Sequence, residues 1–266
     1  MARARLANCA DCAPPTWTGG GLRAGPSVMR RVGILGGMGP EATILVMQKV
    51  LAAVKARDDA DHIPLIVDQN PQVPSRIRHL IEGTGEDPGP VLADMARRLV
   101  AAGAQALAMP CNTAHHYAPA IRSAVAVPFL DMVEASVTHA ATLARPGAQV
   151  GVLASPAVRK VGLFDAPLAR HGLTAVYAKD EAAMLAAIRQ IKAEGPQPQA
   201  RRTLAAASAD LYERGAIVQM IACTEFSLVP EAVCPKATVF DTLDRLVQAI
   251  LSYATLPAKE SVEAKE

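Results

Sequence analysis

Strong charge is what this sequence most plainly lacks. Its 27 Lys and Arg are matched by 25 Asp and Glu, for a net charge of +2. The two signs are mixed along the chain, so no basic stripe points to a nucleic acid and no polybasic run points to a membrane surface. Long apolar runs are also missing. Charge, Gly or Pro breaks each one well short of the 18 residues that a spanning helix needs. Cysteine is scarce and odd in number, five in 266 residues, which suits no disulfide framework and leads to the expectation of a reducing, cytoplasmic setting. Cys9 and Cys12 form a C-x-x-C, but a zinc site needs about four ligands and no second pair stands at finger spacing, so no metal is expected. Nucleotide loops are absent too: "GGMGPEAT" has neither G-x-G-x-x-G spacing nor a following Gly-Lys-Ser/Thr. What is left is a globular chain, 51% hydrophobic, whose expected partner is a small molecule.

Residues 1–28 are rich in Gly, Pro and Arg and carry no apolar periodicity; they are expected to be a disordered extension, with the folded protein beginning near Met29. After that point the chain repeats itself. "VGILGG" at 32–37 recurs in kind as "VGVLAS" at 150–155. "AGAQALAMPCNTA" from 102 matches "RGAIVQMIACTEF" from 214, with Gly103 and Gly215 each eight positions before a cysteine. "VPFLDM" at 127–132 resembles "TVFDT" at 238–242, which aligns Asp131 with Asp241. The landmarks keep their order at offsets of about 110 to 118 residues, so two halves of one design are expected.

Each half reads as strands alternating with helices. "RVGILGG", "IPLIVDQ", "ALAMP", "QVGVLAS" and "IVQMIA" are short apolar runs bounded by Gly or Pro, whereas "EATILVMQKVLAAVKA", "GPVLADMARRLVAAG" and "RRTLAAASADLYERG" carry apolar residues at helical spacing. The fold class predicted is α/β: two pseudo-symmetric domains, each a mostly parallel sheet covered by helices, with the active site in the cleft between them. The halves are placed at 29–132 and 133–242, with 243–266 as a segment that could return to the first half. Gly103 and Gly215 sit where a helix C-cap belongs.

In each half a cysteine stands at the carboxyl end of a strand. Cys111 follows "ALAM" and precedes a helix expected to begin near Thr113; Cys223 follows "VQMIA". A thiol at a helix N-terminus meets unpaired N–H groups and the positive end of the dipole, so both sulfurs are expected to ionise readily. A lone cysteine after an apolar strand is most often a small core residue. Two of them at matching places, each followed by Thr and a second polar residue, are harder to assign to packing. Two such groups facing one molecule suit inversion at a carbon that bears an acidic hydrogen: one thiolate takes the proton from one face and the other thiol returns one to the opposite face.

At these residues the sequence resembles the aspartate/glutamate racemase superfamily, in particular its cofactor-independent aspartate racemase and broad-specificity amino-acid racemase branch. The segments that carry the resemblance are "VGILGGMGPEAT", "NPQVPSR", "DMARRLVAAGAQALAMPCNTAHHY", "VPFLDM" and "IACTEFSLVPE", spread over residues 31 to 245. The resemblance implies a racemase acting on an amino acid, with Asp or Glu leading; Cys111 and Cys223 as the acid/base pair; no cofactor; and a homodimer. It also implies that Arg76 binds substrate carboxylate and that Lys192 binds substrate. Ser75 stands where the family often has Asp, which widens the expected substrates beyond strictly acidic ones. A hydantoin racemase, a decarboxylase or isomerase of the same superfamily, and a non-catalytic amino-acid-binding protein are the alternatives.

Further site residues follow from physical roles. Met38 and Gly39 belong to the strand-to-helix turn "GGMGPEAT", whose backbone N–H groups are expected to hold a carboxylate. Asn112, Thr113 and Thr224 are expected to cap their helices or bond the substrate. Glu225 either orients the substrate ammonium or opposes thiolate formation, and substrate binding is the reading taken here. His115 and His116 follow Cys111 closely; the effect of such a ring on the thiol has either sign, and His116 reads as exposed and passive.

Overall fold

A computed structural model describes residues 29–255; the readings made for residues 1–28, including Cys9 and Cys12, lie outside them. Eight strands form two sheets. The first contains β1 (Val32–Gly36), β2 (Leu65–Gln69), β3 (Ala106–Ala108) and β4 (Phe129–Leu130) in the order β2-β1-β3-β4. The second contains β5 (Gln149–Ala154), β6 (Thr174–Tyr177), β7 (Val218–Ala222) and β8 (Thr238–Asp241) in the order β6-β5-β7-β8. Every pairing is parallel, and the registers correspond: Val32 faces Ala106 as Val150 faces Val218. The repeat in the sequence is therefore a repeat of topology.

Nine helices accompany the strands among the described residues: α1 (Pro40–Ala53), α2 (Gly89–Ala101), α3 (Ala118–Ala124), α4 (Met132–Leu143), α5 (Pro156–Lys160), α6 (Asp165–Ala169), α7 (Glu181–Glu194), α8 (Pro198–Glu213) and α9 (Thr242–Thr255). None is long and apolar enough to cross a membrane. Both faces of each sheet are covered, which is why the central strands read as continuous apolar runs and not as alternations. On the first sheet, Leu35 and Leu107 meet Leu92, Met95 and Leu99 of α2. Across it, Val32 and Ile34 meet Val46 and Val50 of α1 and Leu246 and Ile250 of α9. On the second sheet, Leu153 and Ile221 meet α7 and α8, while Val150 and Met220 meet Val133 and Val137 of α4.

The helices after β4 and β8 change sides. α4 leaves the first sheet and covers the second, α9 leaves the second and covers the first, and the two pack against each other where they cross. Asp131 and Asp241 start these helices in the same way. The Oδ1 of Asp131 accepts from the Val133 and Glu134 N–H groups, and that of Asp241 accepts from the Leu243 N–H at 2.8 Å. Gly103 and Gly215 close α2 and α8 identically, with φ of +98° and +90°. In both, the next residue's N–H (Ala104, Ala216) returns to a carbonyl five positions back (Leu99, Leu211) at 3.0 Å, as a Schellman ending requires.

Candidate active site

Because β3 and β7 are the equivalent inner strands, their carboxyl ends deliver Cys111 and Cys223 to one enclosed space between the domains. Both sulfurs line a cavity of about 40 Å³ together with Met38, Arg76, Thr113, Lys192 and Glu225. A roomier cleft of about 480 Å³ between α7 and α8 contains neither cysteine, so size alone does not mark the chemistry.

Glu225 sits at the centre of the polar contacts. Its Oε2 accepts the Cys223 thiol hydrogen at 3.0 Å, and its Oε1 lies 3.1 Å from the Lys192 ammonium. Burial pushes the Cys223 thiol well above its usual pKa, and the Glu225 charge and hydrogen bond push it the same way against the pull of Lys192. This corrects the expectation that Cys223 ionises readily. The helix terminus invoked for that expectation is also missing: a one-turn 3-10 segment, Phe226–Leu228, follows Cys223, and another, Thr113–Tyr117, follows Cys111 before α3 begins. For Lys192, partial burial works to lower its pKa, but Glu225 and both sulfurs together win and the net shift is upward.

Arg76 is braced from behind. Its Nη1 donates to the carbonyls of Val73 and Pro74 at 3.3 and 2.9 Å, which fixes the fork while the guanidinium lines the cavity. Thr113 reaches across the domain boundary, its hydroxyl 3.1 Å from that of Ser155. Gly39 adjoins the site through its backbone, since a Cβ there would stand 3.9 Å from Glu225 Oε1.

Three predicted residues do not line the cavity: Gly39, which only adjoins it, Asn112 and Thr224. Asn112 and Thr224 are buried beneath it. The Asn112 Nδ2 donates to Thr242 Oγ1 at 3.0 Å, and that hydroxyl donates to the Ile221 carbonyl at 2.9 Å, so Asn112 ties the Cys111 loop to α9 and β7. The glycine turn also does a different job at Gly37. Its φ is +90° and a Cβ would fall 2.3 Å from the Asn70 backbone, while its N–H is taken by Thr43 Oγ1 at 2.8 Å. That N–H cannot hold a carboxylate as well.

His115 acts on the loop and not on the sulfur. Its Nδ1 donates to the Cys111 carbonyl at 2.8 Å, and its Nε2 accepts the Met132 N–H at 3.2 Å, which fixes the neutral tautomer. Burial is the main cause of its lowered pKa. The ring therefore pins the Cys111 turn to the start of α4, and His116 faces solvent.

Ser75, Ile77, Ser155 and Ile188 also line the cavity; sequence reasoning read Ser75 as the departure that widens the substrates and gave the other three no site role. Two of them carried a usable signal. Ser155 takes, in "VGVLAS", the place that Gly37 takes in "VGILGG", and Ile188 stands one helical turn before Lys192 on the same face of α7. At the rim, a π-helical turn, Arg78–Glu82, meets the second domain: Arg189 pairs with Glu82 at 2.9 Å, and Lys160 donates to the Ile81 carbonyl at 3.4 Å. Among the described residues no group of three or more His, Cys, Asp and Glu is placed to hold a metal ion.

Known proteins resemble this chain in sequence and fold. The chain is 26% identical over 228 residues to the broad specificity amino-acid racemase RacX of Bacillus subtilis (strain 168), covering 83% of this chain and 96% of that protein. The aspartate racemase of Picrophilus torridus superposes with a TM-score of 0.74 at 25% identity, over 85% of this chain and 94% of that one. The glutamate racemase isoform RacE1 of Bacillus anthracis shares the fold, with a TM-score of 0.63 at 14% identity over 88% and 85% of the two chains. Residues 35–250 match the Asp/Glu/Hydantoin racemase family, and with that span reaching from β1 into α9 and containing both cysteine-bearing strand ends, the chain belongs to this family of racemases.

Proposed function

We propose that the protein is a cofactor-independent amino-acid racemase that inverts the α-carbon by proton exchange between Cys111 and Cys223. The observation that carries this reading is the placement of both sulfurs, from equivalent strands of the two halves, on one cavity with Arg76 and Lys192. In one direction the Cys111 thiolate removes the α-hydrogen and becomes a thiol. The planar carbanionic species then takes the Cys223 thiol proton on its other face, which leaves Cys223 as the thiolate. The return direction exchanges the roles, and no proton is gained or lost overall. Glu225 holds Cys223 in the protonated state that the first direction needs, and its negative charge makes the Cys223 thiolate a stronger base in the return direction.

Aspartate and glutamate are the substrates we favour. Their two carboxylates and one ammonium complement Arg76, Lys192 and Glu225 group for group. Ser75, Ile77 and Ile188 along the wall place no further charge there, and this supports acceptance of other side chains as well. A mechanism that depends on free thiols calls for a reducing compartment, and we assign the protein to the cytoplasm on that ground.

The test is proton NMR of L- and D-amino acids with the reduced protein in heavy water. Loss of the α-proton signal together with appearance of the opposite enantiomer is the expected result, with Asp or Glu fastest. Absence of exchange with every amino acid tried would refute the assignment.

A further inference from the structure

The cleft of about 480 Å³ between α7 and α8 has a lining of its own, apart from both sulfurs. It opens just past the carboxyl end of the edge strand β6, where the loop of Ala178, Lys179 and Asp180 forms one wall. Open α/β sheets take their ligands beyond such strand ends. Ala178 and Met184, both buried, give the cleft an apolar base. The face of α8 toward it runs from polar to apolar. Gln199, Arg202 and Thr203 stand at i, i+3 and i+4, and Ala206 and Ala207 continue the same face one turn on. Those alanines, with Ala183 on α7, are too small to fill the space between the two helices.

The charges around the cleft leave a cation unanswered. Asp210 is shared by Lys179 at 2.8 Å and Arg214 at 3.0 Å, and Asp180 accepts the Ala183 N–H at 2.8 Å as the cap of α7. Arg202 is in no ion pair with a described residue; its Nε and Nη2 donate to Gln199 Oε1 at 3.2 and 2.8 Å. That contact holds the guanidinium against the helix. Its Nη1, the Gln199 Nε2 and the Thr203 hydroxyl have no partner among the described residues. Three donors on one turn of one helix, centred on an unpaired guanidinium, suit a carboxylate. From Thr203 to Asp210 the helix rises about 10 Å. An apolar body of one ring and a short chain therefore fits along Ala206 and Ala207 before the Lys179–Asp210 pair ends the wall.

We propose that this cleft binds a small carboxylate with an apolar body, the carboxylate on Gln199, Arg202 and Thr203 and the body over Ala206, Ala207 and Met184. The inference stands whatever the cavity with the sulfurs turns over. Methyl NMR of the full chain with isotope-labelled methionine tests it, with hydrocinnamate as the probe, because each open space has its own reporter. Met184 lines this cleft, Met38 the cavity with the sulfurs, and Met47 a groove between α1 and β2. The Met184 signal is identified by its loss in Met184→Leu. It should shift saturably, with a midpoint at about 1–5 mM probe. Arg202→Glu should raise that midpoint at least about tenfold, and so should replacing the probe by its neutral amide. Ala206→Trp should abolish the shift by filling the cleft. Arg202 and Ala206 are exposed, so circular dichroism should be unchanged in both variants. A Met184 signal that stays still overturns the proposal, as does a shift confined to Met38 or Met47. A midpoint indifferent to Arg202→Glu or to loss of the probe's charge overturns it as well.

Discussion

Replacing Glu225 by Gln isolates one electrostatic contact at the site. The Cys223 thiol donates to Glu225 Oε2 at 3.0 Å, so ionising that thiol sets two negative charges side by side. At about 4 Å and an effective dielectric of about 20 such a pair repels by about 4 kcal/mol. Lys192, 3.1 Å from the other carboxylate oxygen, offsets part of this, and about 2 kcal/mol is a fair net figure. Gln keeps the shape and an acceptor oxygen but removes the charge. At neutral pH the thiolate fraction of Cys223 should then rise by roughly thirtyfold, since about 1.4 kcal/mol is a factor of ten. A thiolate of lower pKa is a weaker nucleophile, with a Brønsted slope of about 0.4–0.5, so the gain in alkylation rate shrinks to roughly fivefold.

The assay is the iodoacetamide rate at Cys223, followed by peptide mass spectrometry in a Cys111→Ala background so that the other thiols are scored separately. A rate in Glu225→Gln equal to or below that of its parent would refute the argument. Turnover gives an independent reading. The two enantiomers have equal free energy, so kcat/KM must change equally in both directions, and the signature is a pH profile whose base limb moves to lower pH. Burial, the largest cause of the raised thiol, is untouched by the substitution. The limb should therefore move only part of the way.

Cys111→Ala and Cys223→Ala should each lower racemisation in both directions by at least about 10²–10⁴-fold with unchanged circular dichroism; either variant at full activity would end the two-thiol mechanism. Asp241, buried at the start of α9, has its pKa raised to about 6, chiefly by burial. The unfolded chain releases this proton near the ordinary carboxyl value and the folded one holds it to about 6, so stability is greatest below that window and falls as pH rises through it. Relative to Asp241→Asn, the unaltered protein should lose about 2–3 kcal/mol of unfolding free energy between pH 4 and 7 in denaturant titrations. A difference that stays flat with pH would contradict the assignment.

Much of this architecture is legible in the sequence for physical reasons. The central strands are buried on both faces, so "VGILG" and "VQMIA" stand out as short apolar runs, and the glycines at 103 and 215 are forced by positive φ. The outer strand β4 has only two residues, too few for any period to show. The lines of α4 and α9 are readable as apolar stripes, but which sheet each covers depends on a crossing that no local pattern encodes. At the site, the cysteines announce themselves through the repeat, whereas Arg76 and Lys192 come only from the family resemblance. The misreading of Cys223 has a definite origin: a strand followed by Thr and Glu suggests a helix start, whereas the chain makes one 3-10 turn and Glu225 folds back onto the sulfur. Asn112 misled in a similar way. Its amide serves the loop from below, and only the partner hydroxyl on Thr242, 130 positions away, reveals this.

The two halves are alike in topology and unlike in the residue two places after each cysteine, and that difference has a mechanical side. Thr113 bonds Ser155 across the boundary, whereas Glu225 turns to Cys223 and Lys192 within its own half. The cavity that both sulfurs line is small, about 40 Å³. At the back, α4 and α9 cross with buried apolar contacts and are anchored by Asp131 and Asp241. At the front, the rim is joined by exposed polar contacts, of which Arg189 to Glu82 is an ion pair with side chains 59% and 39% exposed. Exposed pairs of this kind contribute about 0–1 kcal/mol, far less than the apolar crossing. Parting the rim would therefore cost less than parting the crossed helices, and it would break the Thr113–Ser155 contact while leaving the Cys223–Glu225–Lys192 group intact. Under the proposed mechanism that group would keep the thiol proton on Cys223 for the direction in which Cys223 is the acid.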